Sequence, residues 1–525
     1  MRNQRSRSKK CFQIENTLIM HGSFCAAITI RIHSLFQKLF FNRHTADLNY
    51  SEYDRLALKA GCSLQSVDNT LLHAPPTRRM HFENIRIIIV SMGDHTMKRT
   101  FFSRLLRKNP FSSIAKKFSG TTGQTQSLPI RSHPFEFLYN GQPSTETRHQ
   151  KVSAVPCGSY TLSEVNAAVK KAIDDIGFII PKGARVLIKP NVVARNTPSQ
   201  CATTHPAVVD ALCALCSEAG CSITIGDSSA FYQSGGTARN LVVSGMASVA
   251  KKYNARLLPF EKASLRRVSS GQALKILWIT NAVYEHDLII NVPKLKVHRL
   301  AEYSGAIKNM YGCIPGGTKQ IYHELFQYRE DYRDFWGESL LDVYTAADPE
   351  LTVMDAVYGL DRDGPAATGT PQKTGTILAS SNGVVCDIAA CTMIGFDPRK
   401  VPAIRAALER GSADDRSMEI VGILPSVPFN HPHSCKSSAF SDYLFHEMIM
   451  TPVVSKSECV KGCMQCATIC KPGAISFDDR TSARIDYQRC IRCYCCEEQC
   501  PHGAIRLRGS VVNHIIRFIR TIKRI

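Results

Sequence analysis

Nine of the chain's 21 cysteines fall between Cys459 and Cys500, and they are regularly spaced. Cys490, Cys493, Cys496 and Cys500 form a C-x2-C-x2-C-x3-C run closed by Pro501. Upstream, Cys459, Cys463, Cys466 and Cys470 form C-x3-C-x2-C-x3-C, with Lys471 intervening before Pro472. Each iron of an iron–sulfur cube takes one thiolate, and a tight loop reaches three irons. The fourth cysteine starts a segment that points away, so it serves the neighbouring cube. This logic assigns Cys459, Cys463, Cys466 and Cys500 to one [4Fe–4S] cluster. Cys470, Cys490, Cys493 and Cys496 take the second. Zinc also accepts four thiolates. Two interleaved runs, each followed by a proline and then Gly-Ala-Ile (Gly473–Ile475 and Gly503–Ile505), favour iron–sulfur. The longer first gap keeps a labile or three-iron first site open. Cys495 lies between two ligands and is expected to be a spare thiol.

The second run is that of bacterial two-cluster ferredoxins, so the expected cofactors are two [4Fe–4S] clusters and the expected activity is electron transfer. Potentials of such clusters span roughly −700 to +450 mV, which leaves the direction of flow open.

The elements that must position this chemistry come from a chain of 525 residues, 44% hydrophobic and 21% charged, enough for three or four domains. The other twelve cysteines are scattered from Cys11 to Cys435, which suits a reducing compartment, and a cytoplasmic location is expected. The net charge is +21, but residues 1–150 hold 22 Lys and Arg against 9 Asp and Glu. Most of the excess therefore sits in a basic, poorly patterned extension, and nucleic acid is not the expected partner. Within it, Thr17–Ile30 is apolar but too short to span a bilayer, and Glu15 argues against a signal peptide. Lys98–Lys117 could form a basic helix broken at Pro110, and Ser119–Thr147 has linker composition.

Residues 151–430 alternate strand and helix patterns, which predicts an α/β domain with a largely parallel sheet. Thr161 and Glu164 fit a capping box before a helix with Val165, Ala168, Val169, Ala172 and Ile176 on one face, ended by Gly177. Strands are predicted over Arg185–Lys189, Ser222–Ile225, Arg256–Phe260, Asp287–Val292 and Leu351–Met354. Helices are predicted from Pro206 to Gly220, over Ala238–Tyr253 and over Val384–Ile394. Cys213, Cys216 and Cys221 are expected to be core thiols. Residues 431–452 form a connector to a small α+β module at 453–509, and 510–525 is a basic amphipathic tail. That tail suits either peripheral membrane contact or docking on the protein's own surface.

Polar residues collect where the apolar strands end. Lys189 and Asn191, Asp227, then Lys294, Lys296 and His298, and Asp355 all follow such runs, with Lys308 and Asn309 nearby. Open parallel sheets bind ligands beyond the carboxyl ends of their strands. These residues, with His323, are therefore the candidate substrate-binding set, and its cationic excess suits a small anion bearing carboxylate or phosphate. Single lysines at strand ends usually just reach solvent. His298 and His323 with Asp227, Asp355, Asp361 or Asp387 could instead hold a divalent metal. Gly312-x3-Gly316-Gly317 matches no nucleotide-binding fingerprint.

Taken as an ordered set, these motifs resemble the family called domain of unknown function 362. They are Val186–Asn191, Thr203–Pro206, Gly226–Ser228, Asn291–His298, Gly305–Gly312, His323 and Asp355 with Gly364-Pro365. The resemblance covers roughly residues 151–410 and implies no settled reaction, although similar members often carry a C-terminal two-cluster ferredoxin. Together the motifs predict an iron–sulfur electron-transfer protein, an oxidoreductase acting on a small anion or exchanging electrons with a redox partner protein. The alternative is a ligand- or metal-binding assembly module whose clusters are structural or sensory.

Overall fold

The computed structural model describes residues 62–63, 91–92 and 150–514, except 230–234, 270, 299–300, 328–330, 363–368, 433–446 and 478–481. The expected leader, basic helix and linker of residues 1–149, and the tail beyond 514, therefore lie outside the described residues. In the first of two compact units, Met1–Asn109, Cys62–Ser63 pairs antiparallel with Ser91–Met92.

The second unit opens with β1 (Lys151–Pro156), α1 (Leu162–Asp175), β2 (Arg185–Pro190), α2 (Pro206–Glu218) and β3 (Ser222–Asp227). Next come α3 (Gly236–Val243), α4 (Met246–Lys252), β4 (Arg256–Pro259), the hairpin β5 (Leu265–Ser269) and β6 (Ile276–Thr280), and β7 (Leu288–Val292). They are followed by β8 (Lys294–His298), β9 (Glu302–Ser304), the short α5 (Ala306–Asn309), α6 (Thr318–Gln327) and α7 (Tyr332–Ala347). The domain closes with β10 (Leu351–Asp361), β11 (Thr370–Ser380), α8 (Gly383–Met393), α9 (Pro402–Glu409) and β12 (Glu419–Gly422).

One ten-stranded sheet runs in the order β12-β1-β11-β10-β7-β2-β3-β4, with β8 and β9 branching from β10. β4, β3, β2, β7 and β10 are mutually parallel. β11 is antiparallel to both β10 and β1. The parallel strands are buried on both faces, so they read as continuous apolar runs. Their alternate residues feed two cores: Val186 and Ile188 pack with α1 and α2, Leu187 and Ile289 with α7, α8 and α9. Each fully buried aliphatic side chain contributes about 1.5–3 kcal/mol. Cys213 and Cys216 are buried thiols of this kind, while Cys221 is half-buried.

Several local expectations change. The helix predicted over Ala238–Tyr253 is two helices, because Gly245 adopts φ 84°, outside the helical region, and a Cβ there would crowd Pro206. The capping box does not form. Glu164 turns back to the Gly158 N–H and the Ser159 hydroxyl, and Thr161 makes no side-chain cap. Lys294–His298, expected as a polar strand-end segment, is itself a buried strand. Leu295 and Val297 enter one core, which places Lys294, Lys296 and His298 on the opposite face.

The C-terminal module contains β13 (Thr451–Val454), α10 (Gln465–Ile469), β14 (Ile475–Phe477), β15 (Ala483–Ile485), α11 (Cys495–Glu498) and β16 (Ile505–Arg508). β13 pairs with β16 and β14 with β15, both antiparallel. The helices α10 and α11 contain or abut the third and fourth cysteines of their runs, as an internal duplication requires. Among the described residues, no helix is long and apolar enough to cross a membrane.

Candidate iron–sulfur centre and the adjoining lysine crevice

The eight candidate ligands line two separate spaces. Cys459, Cys463, Cys466 and Cys500 line one, with Val460, Ala483 and Ile505 among its walls. Cys470, Cys490, Cys493 and Cys496 line another, with Pro452, Ile485, Ile491 and Tyr494. Thiolates around an apolar space are the donor set an iron–sulfur cube requires, so the residues fit the group. Backbone N–H groups donate to two of the sulfurs: Ala474 N to Cys470 Sγ at 3.3 Å and Arg492 N to Cys490 Sγ at 3.4 Å. Such bonds stabilise negative charge on sulfur and tune a cluster's potential. Arg492 and Tyr494, flanking Cys493, both adopt the left-handed region at φ 55° and 65°. Non-glycine residues there cost about 1–2 kcal/mol each, so the loop is held by its surroundings. Cys495 is buried in the main core of the α/β domain together with Ile491.

At the carboxyl edge of the sheet, most of the predicted crevice residues fall into two bonded groups, one around Lys189 and Lys296 and one around Lys294. Lys189 Nζ lies 2.7 Å from Asp227 Oδ1, joining β2 to β3, and both side chains are buried. Breaking such a pair by removing one partner typically costs about 3–5 kcal/mol. Lys189 also reaches Asn309 Oδ1 at 3.4 Å. Asn309 donates to Asn291 Oδ1 (2.8 Å) and accepts from Asn191 Nδ2 (3.0 Å). Lys296 donates to Asn191 Oδ1 (2.6 Å) and the Ala202 carbonyl (3.1 Å). Lys294 pairs with Asp355 at 3.0 Å and donates to the Tyr160 hydroxyl at 2.8 Å. Tyr160 in turn donates to Asp355 (2.8 Å) and stacks on His205 at 3.6 Å. Burial pushes the His205 imidazole down to about 4, so it is neutral near pH 7.

Three predicted members stand differently, Lys308 because it takes no part in these bonds. His298 Nδ1 accepts the Ala301 N–H, stabilising the turn between β8 and β9. His323 lies in α6, and its side chain is outside the described residues. Asp361 bonds Asn430, and Asp387 bonds the start of α5, so neither faces the lysines. The cysteine quartets line spaces and converge on no single ion position, and among the described residues no other three His, Cys, Asp or Glu side chains gather to hold an ion.

Sequence reasoning missed Tyr160, His205, Glu261 and Lys319. Buried Lys319 donates to the Ser229 carbonyl at 2.8 Å and to that of Ser228. Glu261, fully buried, accepts from the Ser228 hydroxyl, from Thr237 Oγ1 (3.2 Å) and from Gly316 N (3.3 Å), while its Oε2 has no hydrogen-bond partner among the described residues. The signals on offer were the Thr203–Pro206 motif, which contains His205, and the proximity of Lys319 to Gly316-Gly317. Lys296, Lys308 and Lys319 form no ion pair with a carboxylate among the described residues. Burial, then neighbouring Lys308 and Lys294, holds Lys296 well below the ordinary lysine value. Burial likewise pushes half-buried Lys308 down to about 8, with Lys319 and Lys189 adding to it. Lys319 also falls to about 8 through burial, against the opposing pull of Glu261.

One stretch of chain, residues 308–319, touches both places. A Cβ at Gly312 would lie 2.3 Å from Asp227 Oδ1 and 2.7 Å from Lys189 Nζ. At Gly316, φ is +61° and a Cβ would lie 2.3 Å from the Cys493 carbonyl. Gly317 N donates to Arg492 O (3.0 Å) and Thr318 Oγ1 to Ile491 O (2.9 Å). Across the same boundary, Gly235 N donates to Glu498 at 2.6 Å.

Comparison with known proteins matches both halves of this architecture. The family model for a 4Fe-4S binding domain matches residues 483–506, and that for domain of unknown function 362 matches residues 186–392. The chain is 29% identical over 287 residues to the thylakoid-associated protein sll1697 of Synechocystis sp., covering 54% of this chain and 84% of that protein. It is 39% identical over 54 residues to pyruvate synthase subunit PorD of Methanocaldococcus jannaschii, covering 10% of this chain and 62% of that one. Against the lactate racemase apoprotein from Thermoanaerobacterium thermosaccharolyticum the TM-score is 0.32 at 13% identity, over 51% of this chain and 62% of that one. The class of protein is thus one with a 4Fe–4S binding domain at its C-terminal end. Within the α/β part that precedes it, residues 186–392 carry a domain of unknown function 362 match.

Proposed function

We propose that this chain is an iron–sulfur electron-transfer protein in which two [4Fe–4S] clusters exchange electrons with a small anion bound in the lysine crevice. The observation that carries this reading is the 308–319 stretch, which packs on the Lys189–Asp227 pair at one end and on the Cys493 loop at the other. The clusters supply one-electron storage and transfer; the rest is the work of the chain's own side chains. Lys189 and Lys294, each held by a carboxylate, frame the site. Lys296 and Lys308, which form no ion pair among the described residues, would bind and orient the anion, whose charge favours their protonated forms, with Asn191 and Asn309 fixing its register. Because Lys308 and Lys319 lose their protons near pH 8, anion affinity falls above that value.

Anaerobic purification with iron and sulfide analysis, followed by potentiometric EPR and reoxidation by carboxylate and phosphate-bearing acceptors, tests the reading. About eight irons per chain, and clusters that reoxidise with one acceptor class, are expected. Colourless protein, or zinc in place of iron, would end it. A second reading rests on the burial of Ile491 and Cys495 in the main core, which suits clusters that only hold the fold together. In that case ligand binds without any change in cluster oxidation state.

A further inference from the structure

The two cysteine-lined spaces differ in what surrounds them. The loop of the Cys470–Cys496 space faces inward: Ile491, Tyr494 and Cys495 are buried, and the Ile491 and Arg492 carbonyls are taken by Thr318 and Gly317. The Tyr494 hydroxyl closes the other flank on the backbone of Met450, donating at 2.9 Å to its carbonyl. Among the described residues, the Cys459–Cys500 space has no such cover. Beside it, Val460 is 48% and Met464 58% exposed, two of the few large apolar side chains left in solvent among the described residues. Lys456, Lys461, Gln465, Pro501 and His502 around them are exposed as well. The one acidic neighbour in that loop, Glu458, is already paired with Arg506.

We propose that this face is where a separate acidic electron-carrier protein docks, so that the cluster held by Cys459, Cys463, Cys466 and Cys500 exchanges electrons with the outside. The cluster held by Cys470, Cys490, Cys493 and Cys496 then serves the crevice. This rests on the two-cluster reading above. An apolar centre rimmed by charge marks a recognition surface. A lysine rim selects an acidic partner and accelerates its encounter. The small apolar centre places the contact among weak, short-lived electron-transfer interfaces. Each encounter moves one electron: the carrier's centre is oxidised by one and the receiving cluster reduced by one, with no bond made or broken. A second step passes that electron to the inner cluster.

Stopped-flow reduction of the full-length holoprotein by a reduced acidic flavodoxin is the test. A double variant, Lys456→Glu with Lys461→Glu, is expected to slow the second-order rate at least tenfold at low salt and to abolish its salt dependence. Iron content and EPR spectra should stay unchanged. A control pair beside the inner cluster, Lys471→Glu with Arg489→Glu, is expected to stay within twofold. Equal rates for the first pair and the parent protein, or greater slowing by the control pair, would overturn the proposal. Absence of two clusters in the parent protein would instead sink the function reading, and the iron analysis separates the two failures.

Discussion

Cys493 and Cys495 are two positions apart and differ in what depends on them. Cys493 faces the space it shares with Cys470, Cys490 and Cys496. Cys495 borders that space too, but packs into the α/β core beside Ile491, its Sγ donating to the Cys493 carbonyl at 4.0 Å. Removing a cluster ligand and removing a core sulfur are different operations. Cys493→Ala is expected to lose or convert one cluster, so that iron per chain drops by up to about half. Cys495→Ala is expected to keep its iron and to lose about 1–2 kcal/mol of stability from the small cavity left. Iron analysis of both variants checks this; equal iron loss would show that the ligand assignment is wrong.

Among the elements, the short helix α5 carries Lys308 and Asn309 into the crevice, and Asp387 of α8 holds its start. The carboxylate accepts from Ala306 N (2.6 Å), Ile307 N (2.9 Å) and the Tyr303 hydroxyl (3.0 Å). Burial nevertheless pushes Asp387 up to about 7, against the pull of those donors. Below the usual carboxylate value both folded and unfolded chains hold the proton. Between there and about 7 only the folded chain does, so the stability this group contributes is lost as pH rises through that window. Asp387→Asn should remove a few kcal/mol of that pH dependence, read as a smaller change in Tm between pH 5 and 7.5; parallel slopes would refute it. Much of this scale was legible in the sequence. Buried parallel strands announce themselves as apolar runs, and the cysteine spacing needs only a loop. Strands β1 and β11 went unread because Lys151–Pro156 is short and Thr370–Ser380 is half polar. Strand β8 was hidden because its lysines find anions and amides inside the fold, which no local pattern reveals. Tyr160 and Lys319 enter the crevice from distant parts of the chain, and only the folded sheet brings them there.

For the whole molecule, the two modules share one hydrophobic interior. Ile491 and Cys495 belong to the same buried cluster as Trp336, Leu340 and Ile404 of the α/β domain, with Ile469 and Cys493 packed against it. Stripping iron should therefore loosen more than the cysteine loops. A chelated sample is expected to unfold at a lower temperature in a transition that includes the α/β domain, seen as loss of protection from hydrogen exchange in β7 and α7. Protection unchanged there after iron removal would mean that the modules are energetically separate.

That shared interior also bears on how the protein is made. Chains leave the ribosome from the N-terminal end, and domains generally fold as they emerge. Here the α/β core lacks two of its side chains until residues 491–495 have been synthesised. The α/β residues must wait, incompletely packed, for that later segment, and metal reaches Cys490, Cys493 and Cys496 only after the α/β part has been synthesised.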